Sequence, residues 1–127
     1  MIDCHNHTLP GIDDGARDMD YALSMARGAL ATGITAIIAT PHHLNGVYTN
    51  PRKQILKAIL EFQTAIAEAD IALLIFPGSE LHLVPELPGQ LLEGEALTYA
   101  DKGKAALVEL PKRTIPNGTE RILEQLL

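Results

Sequence analysis

Two histidines, His5 and His7, stand two positions apart near the start of the chain. Residues 1–7 are predicted to form a strand, and alternate side chains of a strand point to the same face. The two imidazoles are therefore expected on one face, about 6.6 Å apart along the strand. This spacing suits two ligands of one metal ion, and the alternative is a pair of polar residues on a solvated strand.

Three further residues with metal-binding side chains stand at the ends of later predicted strands. His42 follows the second strand, Glu80 follows the third, and Glu109 lies at the end of the fourth. In parallel α/β folds, active sites lie at the carboxyl ends of the strands. A mixed set of imidazoles and carboxylates suits Mn²⁺, Fe²⁺ or Zn²⁺ better than Ca²⁺. The pattern therefore predicts a metal site at this end of the sheet.

The loop after the first strand carries Asp13, Asp14 and Gly15. A carboxylate here could reach a metal ion or a substrate proton, but Asp-Gly is also common turn chemistry. Composition alone favours the turn. His43 and His82 are weaker candidates, and both are expected at the rim or surface of the site more often than among its ligands.

Four basic residues and one tyrosine are secondary candidates. A phosphate could meet Arg17, Lys53, Lys112 or Arg113, although a lone basic residue is usually only solvated. Tyr48, in the loop before the second helix, could pack on an aromatic substrate or could simply anchor its loop.

The elements that position these residues alternate between strand and helix. The predicted strands cover residues 1–7, 34–40, 72–76 and 105–110. A first helix begins near Asp18, a second begins at the cap signal of Asn50 and Pro51, and a last one starts at Asn117. A shorter segment covers residues 85–94. Such alternation predicts right-handed βαβ units and a parallel sheet.

The expected fold is an α/β domain of four βα units that spans residues 1–127. Apolar residues at helical spacing predict the inner faces of two helices: Ile55, Ile59, Phe62 and Ile66 in the second, and Ile122, Leu123, Leu126 and Leu127 in the last. Four such units could form a small open sheet or half of a closed barrel. The chain stops within a helix, without a Gly, Asn or Pro stop signal, and this favours the incomplete barrel.

Composition and charge narrow the function classes. With 127 residues the chain suits one small domain, and its net charge of −6 argues against a nucleic-acid partner. Its one cysteine, Cys4, permits no internal disulfide, fits a reducing compartment and is expected to pack against the helices. Neither a membrane-length apolar run nor a signal-peptide pattern occurs. A soluble, cytoplasmic protein without membrane insertion is therefore predicted.

Several motifs resemble those of the bacterial PHP-family tyrosine phosphatases of the CpsB/CapC type. They are residues 1–7 (MIDCHNH), 9–16 (LPGIDDGA), 37–43 (IIATPHH), 45–48 (NGVY), 76–80 (FPGSE) and 107–111 (LVELP). A His-x-His pair alone is shared by many amidohydrolase-like metalloenzymes. The Asp-Asp-Gly-Ala loop and the Thr-Pro-His-His segment are much more specific, and the similarity runs along nearly the whole chain.

The resemblance implies a distorted β/α PHP barrel of about twice this length with a trinuclear metal centre. Manganese is the implied metal, with Fe²⁺ or Zn²⁺ as alternatives. By position, His5, His7 and Glu80 are implied as ligands of one ion. Glu80 would bridge to a second ion that Glu109 also binds.

Asp14 and His42 are implied as ligands of a third ion, and both are predicted to take part in catalysis. The resemblance thus raises Asp14 above the turn interpretation. The family completes its site with two histidines and an aspartate from later strands, and with arginines that hold the phosphate. None of those segments occurs in this chain.

The implied activity is metal-dependent hydrolysis of phosphotyrosine on the tail of a bacterial tyrosine autokinase of capsule or exopolysaccharide synthesis. One alternative is another PHP phosphoesterase, such as a histidinol phosphatase. A second alternative is a catalytically incomplete metal-binding fragment, whose unpaired strand edges would favour a homo-oligomer.

Overall fold

Every strand pair in the fold is parallel, as the alternation of elements predicts. The computed structural model describes residues 1–127. The helices are α1 (Met19–Ala31), α2 (Arg52–Glu68), α3 (Leu87–Leu92) and α4 (Thr119–Leu126), with a 3₁₀ turn at Tyr99–Asp101. The strands are β1 (Ile2–Asp3), β2 (Ala36–Ala39), β3 (His42–His43), β4 (Leu74–Pro77), β5 (Glu80–His82) and β6 (Leu107–Glu109). No helix combines the length and apolar character that a bilayer crossing requires.

The second and third predicted strands each continue through a break, so that four predicted strands become six. They form two sheets, with the orders β1-β2-β4 and β3-β5-β6. Ala36 lies opposite Leu74 before the break, and His42 lies opposite Glu80 after it. The register is therefore the same in both sheets, and each pair of segments runs on together from one sheet into the next.

Pro41 and Gly78 explain the position of this break. Proline has no N–H to donate to the ladder. A Cβ atom at Gly78 would lie only 2.9 Å from Ile38 Cγ2 and 3.1 Å from the carbonyl oxygen of Ala39. The ladder resumes where the backbone N–H of Glu80 donates to Pro41 O at 3.0 Å. Because the two segments stay in close contact across the break, His42 and Glu80, which follow it, lie side by side.

The main core joins α1 and α2 to alternate residues of β2 and β4. The predicted inner face of α2 is confirmed, since all four of its residues are buried: Ile55, Ile59, Phe62 and Ile66. Ala22 and Ala26 contribute from α1, and Ile37 and Ile75 contribute from the sheet. This core holds the helices on the sheet and leaves the carboxyl ends of the strands free for polar residues.

A second, smaller core joins β5, α3 and α4. Ile122 of α4 packs there with Leu81, and Leu126 is partly buried against them. The prediction that Leu123 and Leu127 also point inward is wrong, because Leu123 is 40% exposed and Leu127 is fully exposed. Ile122 and Leu126 are four positions apart and share the inner face of α4, whereas Leu123 and Leu127 lie on the adjacent face, which points outward.

Of the two predicted helix caps, the one at Asp18 is confirmed and the one at Asn50 is wrong, as is the predicted packing of Cys4. Asp18 does cap α1, since its Oδ1 accepts a hydrogen bond of 2.8 Å from the N–H of Tyr21. The residue that precedes α2 is Pro51, without a side-chain cap, and the side chain of Asn50 binds other partners instead. Cys4 is exposed rather than packed against the helices, because β1 stops one residue before it.

Candidate metal centre

Six side chains that the sequence singles out converge beside the break between the two sheets. They belong to the segment after β1, the loop before α1, and strands β3, β5 and β6: His5, His7, Asp14, His42, Glu80 and Glu109. They form three overlapping groups, and within each group the candidate ligand atoms lie within 4.8 Å of one another. Strand ends and one loop thus bring together residues that are up to about a hundred positions apart.

Glu80 is the buried carboxylate of the first group. Its Oε1 lies 3.2 Å from His5 Nε2, and its Oε2 lies 3.3 Å from His7 Nε2. The two imidazole centroids are 5.7 Å apart. Both histidines face the same carboxylate, as strand alternation predicts, although the regular part of β1 ends before them.

His42 connects the second and third groups, because each of its ring nitrogens faces a different one. Its Nδ1 lies 3.1 Å from Glu80 Oε2 and 3.6 Å from Glu109 Oε2. Its Nε2 lies 3.6 Å from Asp14 Oδ1, and the same oxygen lies 3.7 Å from His7 Nδ1. Asp14 is the most open member of the site, with 63% of its side chain exposed.

The donor set fits a divalent transition-metal ion. His42 Nδ1 is buried and close to Glu80, yet it has no partner at hydrogen-bonding geometry. His82 Nδ1 is also buried without such a partner, 3.6 Å from Glu109 Oε2. A buried polar atom without a partner is costly unless an ion or water fills the place. Imidazole nitrogens mixed with carboxylate oxygens are suitable ligands for Mn²⁺, Fe²⁺ and Zn²⁺.

Asp13 makes contacts in the site beyond the turn that the sequence analysis assigns to it. Its Oδ1 accepts from the N–H of Gly15 at 3.1 Å, which confirms the predicted turn. Its Oδ2 lies 2.7 Å from His7 Nδ1 and also accepts from the N–H of His42 at 3.1 Å. The side chain is fully buried. Two adjacent carboxylates after a His-x-His pair were the available signal, because such partners commonly orient metal-binding histidines.

Charge and burial act in opposite directions on the His7–Asp13 pair. The hydrogen bond to Asp13 raises the pKa of His7, and burial only partly opposes this increase. Burial is the largest influence on Asp13 and would raise its pKa. The hydrogen bonds from His7, Gly15 and His42 together outweigh burial, so the pKa of Asp13 is lowered. Asp13 is thus favoured as a carboxylate, and its Oδ2 lies against His7 Nδ1, so that Nε2 is the ring nitrogen that faces Glu80.

Gly15 allows the Asp13 turn to lie directly against His7. A Cβ atom at this glycine would be 1.9 Å from the carbonyl oxygen of His7 and 2.4 Å from its Cβ. The neighbouring N–H of Ala16 donates to the same carbonyl at 2.9 Å. No other residue type fits without a shift of the backbone. The glycine of the Asp-Asp-Gly-Ala motif is therefore required by contact with a site residue.

The side chain of Asn50 joins three segments of the chain by hydrogen bonds. Its Nδ2 donates to the carbonyl oxygens of Ile12 and His42, both at 2.9 Å, and its Oδ1 accepts from Gln54 of α2. Its own carbonyl lies 2.9 Å from His43 Nδ1. The expectation that His43 lies at the rim or surface is therefore wrong, because its ring is buried against Asn50.

The basic candidates do not join the centre. Arg17 lies 3.1 Å from the carboxylate of Asp18 and stands over the ring of Tyr21. The other three are exposed: Lys53, Lys112 and Arg113. None of the four forms an ion pair with a site carboxylate, so the centre is lined by imidazoles and carboxylates.

Tyr99 is a further neighbour for which the sequence carried no signal. It lies on the 3₁₀ turn before β6, and its phenol is partly buried. Burial raises its pKa, and the charges of Cys4 and Glu80 raise it further. The phenol therefore stays protonated near the first ligand group.

Three kinds of comparison relate the chain to known proteins, two of sequence and one of structure. The sequence model of the family described as "Capsular polysaccharide synthesis, CpsB/CapC" matches residues 1–126. The chain is 38% identical over 126 residues to tyrosine-protein phosphatase YwqE of Bacillus subtilis (strain 168), covering 99% of this chain and 49% of YwqE. It is 25% identical over 114 residues to tyrosine-protein phosphatase CpsB of Streptococcus pneumoniae, covering 90% of this chain and 46% of CpsB.

A solved structure has nearly the same fold over the matched region. It comes from a study of YwqE from Bacillus subtilis and CpsB from Streptococcus pneumoniae, described as unique metal-dependent tyrosine phosphatases. The TM-score is 0.93 at 37% sequence identity, with 99% of this chain and 51% of that chain covered. The chain thus spans about half the length of the curated relatives it matches.

Proposed function

This chain belongs to the CpsB/CapC family of capsular polysaccharide synthesis, and from that premise we propose that it carries the metal-binding part of a phosphotyrosine phosphatase. The observation that carries the proposal is the convergence of three imidazoles and three carboxylates in overlapping groups. Relatives named as tyrosine-protein phosphatases support the reaction, and the description of the matched structure supports the dependence on metal.

The proposed centre binds up to three ions, with Mn²⁺ as the first candidate and Fe²⁺ or Zn²⁺ as alternatives. The proposed ligands are His5, His7 and Glu80 for one ion, Glu80 and Glu109 for a second, and Asp14 and His42 for a third. When bound, such ions offset the charge of phosphate oxygens and lower the pKa of a bound water from ~15.7 to about 7. Glu80 is proposed as a shared ligand, because its Oε2 lies 3.3 Å from His7 Nε2 of the first group and 3.1 Å from His42 Nδ1 of the third.

Asp14 and His42 are the proposed catalytic residues. Asp14 stands at the open side of the site, within 3.7 Å of His7 and His42, where it could hold an ion or pass a proton. A tyrosine phenol has a pKa of about 10, so the phenolate leaves with less help from an acid than a serine alkoxide needs. If Asp14 is a general acid, Asp14→Asn slows poor leaving groups more than p-nitrophenyl phosphate. Equal slowing indicates a ligand role.

The proposed architecture is the first half of a distorted β/α PHP barrel. It is supported by the parallel strands, by the position of the site at their carboxyl ends, and by the close match to half of a longer chain. The proposed substrate is the phosphotyrosine tail of a bacterial tyrosine autokinase. The ion pairs of the proposed centre join histidines to carboxylates, and none of them involves an arginine.

The test is hydrolysis of p-nitrophenyl phosphate by the 127-residue chain, with Mn²⁺ and after its removal by a chelator. We expect turnover that depends on metal and is lost in a double variant, His5→Ala with His7→Ala. Glu61→Gln, on the outer side of α2, is the control and should keep full activity.

Three outcomes are distinguishable. Turnover that survives the chelator or the double variant contradicts the proposed centre. Mn²⁺ binding without turnover by the folded chain means that this chain is an incomplete, metal-binding part of the enzyme. A strong preference for histidinol phosphate over a phosphotyrosine peptide would favour the other PHP phosphoesterases.

A further inference from the structure

The loop between β3 and α2 holds the ring of Tyr48 against the candidate metal centre. The planes of the Tyr48 and His42 rings lie within 1° of parallel, and their centroids are 5.8 Å apart. His42 belongs to two of the three ligand groups. The phenol ring therefore lies beside a residue that the second and third ligand groups share.

The position of Tyr48 is set by a closed turn. The side-chain Oδ1 of Asn45 accepts from the N–H groups of Val47 at 3.0 Å and Tyr48 at 2.9 Å. The N–H of Asn45 in turn donates to the carbonyl of Tyr48 at 3.2 Å. Gly46 has a φ of 87°, a left-handed conformation that glycine adopts readily. These bonds hold the turn in one conformation.

Both ends of this turn are fastened to the site. At one end the chain is β3, which contains His42. At the other end the buried Asn50 donates to the carbonyl of His42 and to Ile12 in the loop that carries the candidate carboxylates. The tyrosine is therefore held in a constant relation to the ligand groups.

The tip of the turn is apolar although it borders a charged centre. Val47 is 78% exposed and Leu44 is 41% exposed. Neither side chain belongs to either core. A flat aromatic face next to exposed aliphatic groups is the surface on which another aromatic ring stacks with an offset.

We propose that Tyr48 forms a wall that receives the aromatic ring of the phosphorylated tyrosine and so selects aryl over alkyl phosphates. This inference rests on the proposed function, because it assumes that a phosphate binds at the ligand groups. An alkyl phosphate has no flat ring next to its phosphate oxygen, so it gains no stacking energy from the Tyr48 ring. Aromatic stacking of this kind changes affinity by about two- to tenfold.

The test compares the binding of phenylphosphonic acid and methylphosphonic acid to the Mn²⁺-loaded chain by isothermal titration calorimetry. The two ligands share a headgroup, and neither is hydrolysed. We expect Tyr48→Leu to weaken phenylphosphonate about two- to tenfold and to leave methylphosphonate unchanged. Tyr48→Phe should keep the affinity for both. Tyr21→Leu, at an exposed tyrosine of α1, is the matched control and should change neither.

Other outcomes overturn the inference in distinguishable ways. Equal weakening of both ligands, or a loss of Mn²⁺ affinity in Tyr48→Leu, would mean that Tyr48 holds His42 and does not receive the substrate. Equal affinity of the unaltered chain for both phosphonates would reject the wall and leave the proposed function intact. Failure of the Mn²⁺-loaded chain to bind either phosphonate would reject the phosphate site, and the wall with it.

Discussion

The two ring nitrogens of His7 have different carboxylate neighbours, Asp13 and Glu80, and this difference suggests the role of each contact. Its Nδ1 is 2.7 Å from the buried carboxylate of Asp13, whereas its Nε2 is 3.3 Å from Glu80. A hydrogen bond at one imidazole nitrogen fixes the tautomer and the orientation of the other. We therefore propose Asp13 as a positioning residue, because its contacts reach the proposed centre through His7 and through the backbone of His42.

The substitution Asp13→Asn should weaken Mn²⁺ binding about 10- to 100-fold. The amide is uncharged and has one acceptor oxygen, whereas the two oxygens of Asp13 serve Gly15, His7 and His42, so the His7 ring is held less firmly. Titration of free Mn²⁺ by electron paramagnetic resonance measures the change. Asp20→Asn, at an exposed acidic residue in the first turn of α1, is the control. Unchanged affinity in Asp13→Asn would mean that Asp13 serves the turn alone.

Two glycines in neighbouring segments should respond oppositely to alanine. Gly15→Ala places a Cβ 1.9 Å from the carbonyl oxygen of His7 and should cost more than about 2 kcal/mol of unfolding free energy. Gly28→Ala in α1 meets no atom within 4 Å and should stabilise the chain by about 0.5–1 kcal/mol. Urea denaturation compares the two. Similar effects of both substitutions would contradict the close contact at Gly15.

At the scale of elements, a side-chain pair holds the 3₁₀ turn at Tyr99–Asp101 on the start of α2. The guanidinium of Arg52 binds both carboxylate oxygens of Asp101, with Nη1 at 2.7 Å from Oδ1. Ala100 and Asp101 both have left-handed backbone angles, with φ of 51° and 55°. The ion pair therefore opposes the relaxation of a strained turn that carries Tyr99 towards the centre.

The Arg52–Asp101 pair should contribute to acid sensitivity. The hydrogen bond from Arg52 lowers the pKa of Asp101 below its ordinary value of 3.8. The folded chain therefore binds fewer protons here than the unfolded chain. The stabilisation is complete above pH 3.8 and is lost as the pH falls through the lowered pKa. It is at most about 1 kcal/mol, because both side chains are one-third exposed.

Asp101→Asn tests this contribution, since asparagine tolerates the same left-handed conformation. We expect lower stability at pH 7 and a smaller loss between pH 7 and pH 3 than in the unaltered chain. Chemical denaturation at several pH values measures both. Parallel stability curves for the two chains would mean that the pair contributes nothing that depends on pH.

At the scale of the whole molecule, carboxylates and imidazoles from distant segments meet where the strands end. The chain has a net charge of −6, and three of its carboxylates meet in one centre. Ion binding to the folded state alone would stabilise the whole domain, by about 2.7 kcal/mol at 100 times the dissociation constant. The segments that meet at the centre come from both sheets, so one ion would hold both together.

Mn²⁺ should therefore raise the thermal midpoint of the chain in a concentration-dependent way. Ca²⁺ at the same concentration should have a smaller effect, because the centre is rich in imidazole. Differential scanning fluorimetry with each ion measures the shift, with Glu61→Gln as the control for Glu80→Gln. A shift with Mn²⁺ that survives in Glu80→Gln would contradict the shared-ligand role of Glu80.

Local order along the chain was predictable. The alternation of strands and helices, the N-cap at Asp18 and the buried stripe that includes Phe62 follow from spacing and composition, which act between near neighbours in sequence. Five of the six residues that gather at the centre follow from residue type and position, because the carboxyl ends of parallel strands share one edge of a sheet. Asp14 was singled out only by the family resemblance, since its loop also suits a simple turn.

The tertiary structure alone decided which atoms meet. The bond from Asp13 to His7, the burial of His43 against Asn50 and the exposure of Cys4 depend on where loops pass one another. The spacing of residues within one segment does not predict contacts between two loops. Sequence by itself therefore determined the chemistry available and the end of the sheet that holds it. The folded chain decided the orientation of each ligand, because orientation depends on contacts between segments that are distant in sequence.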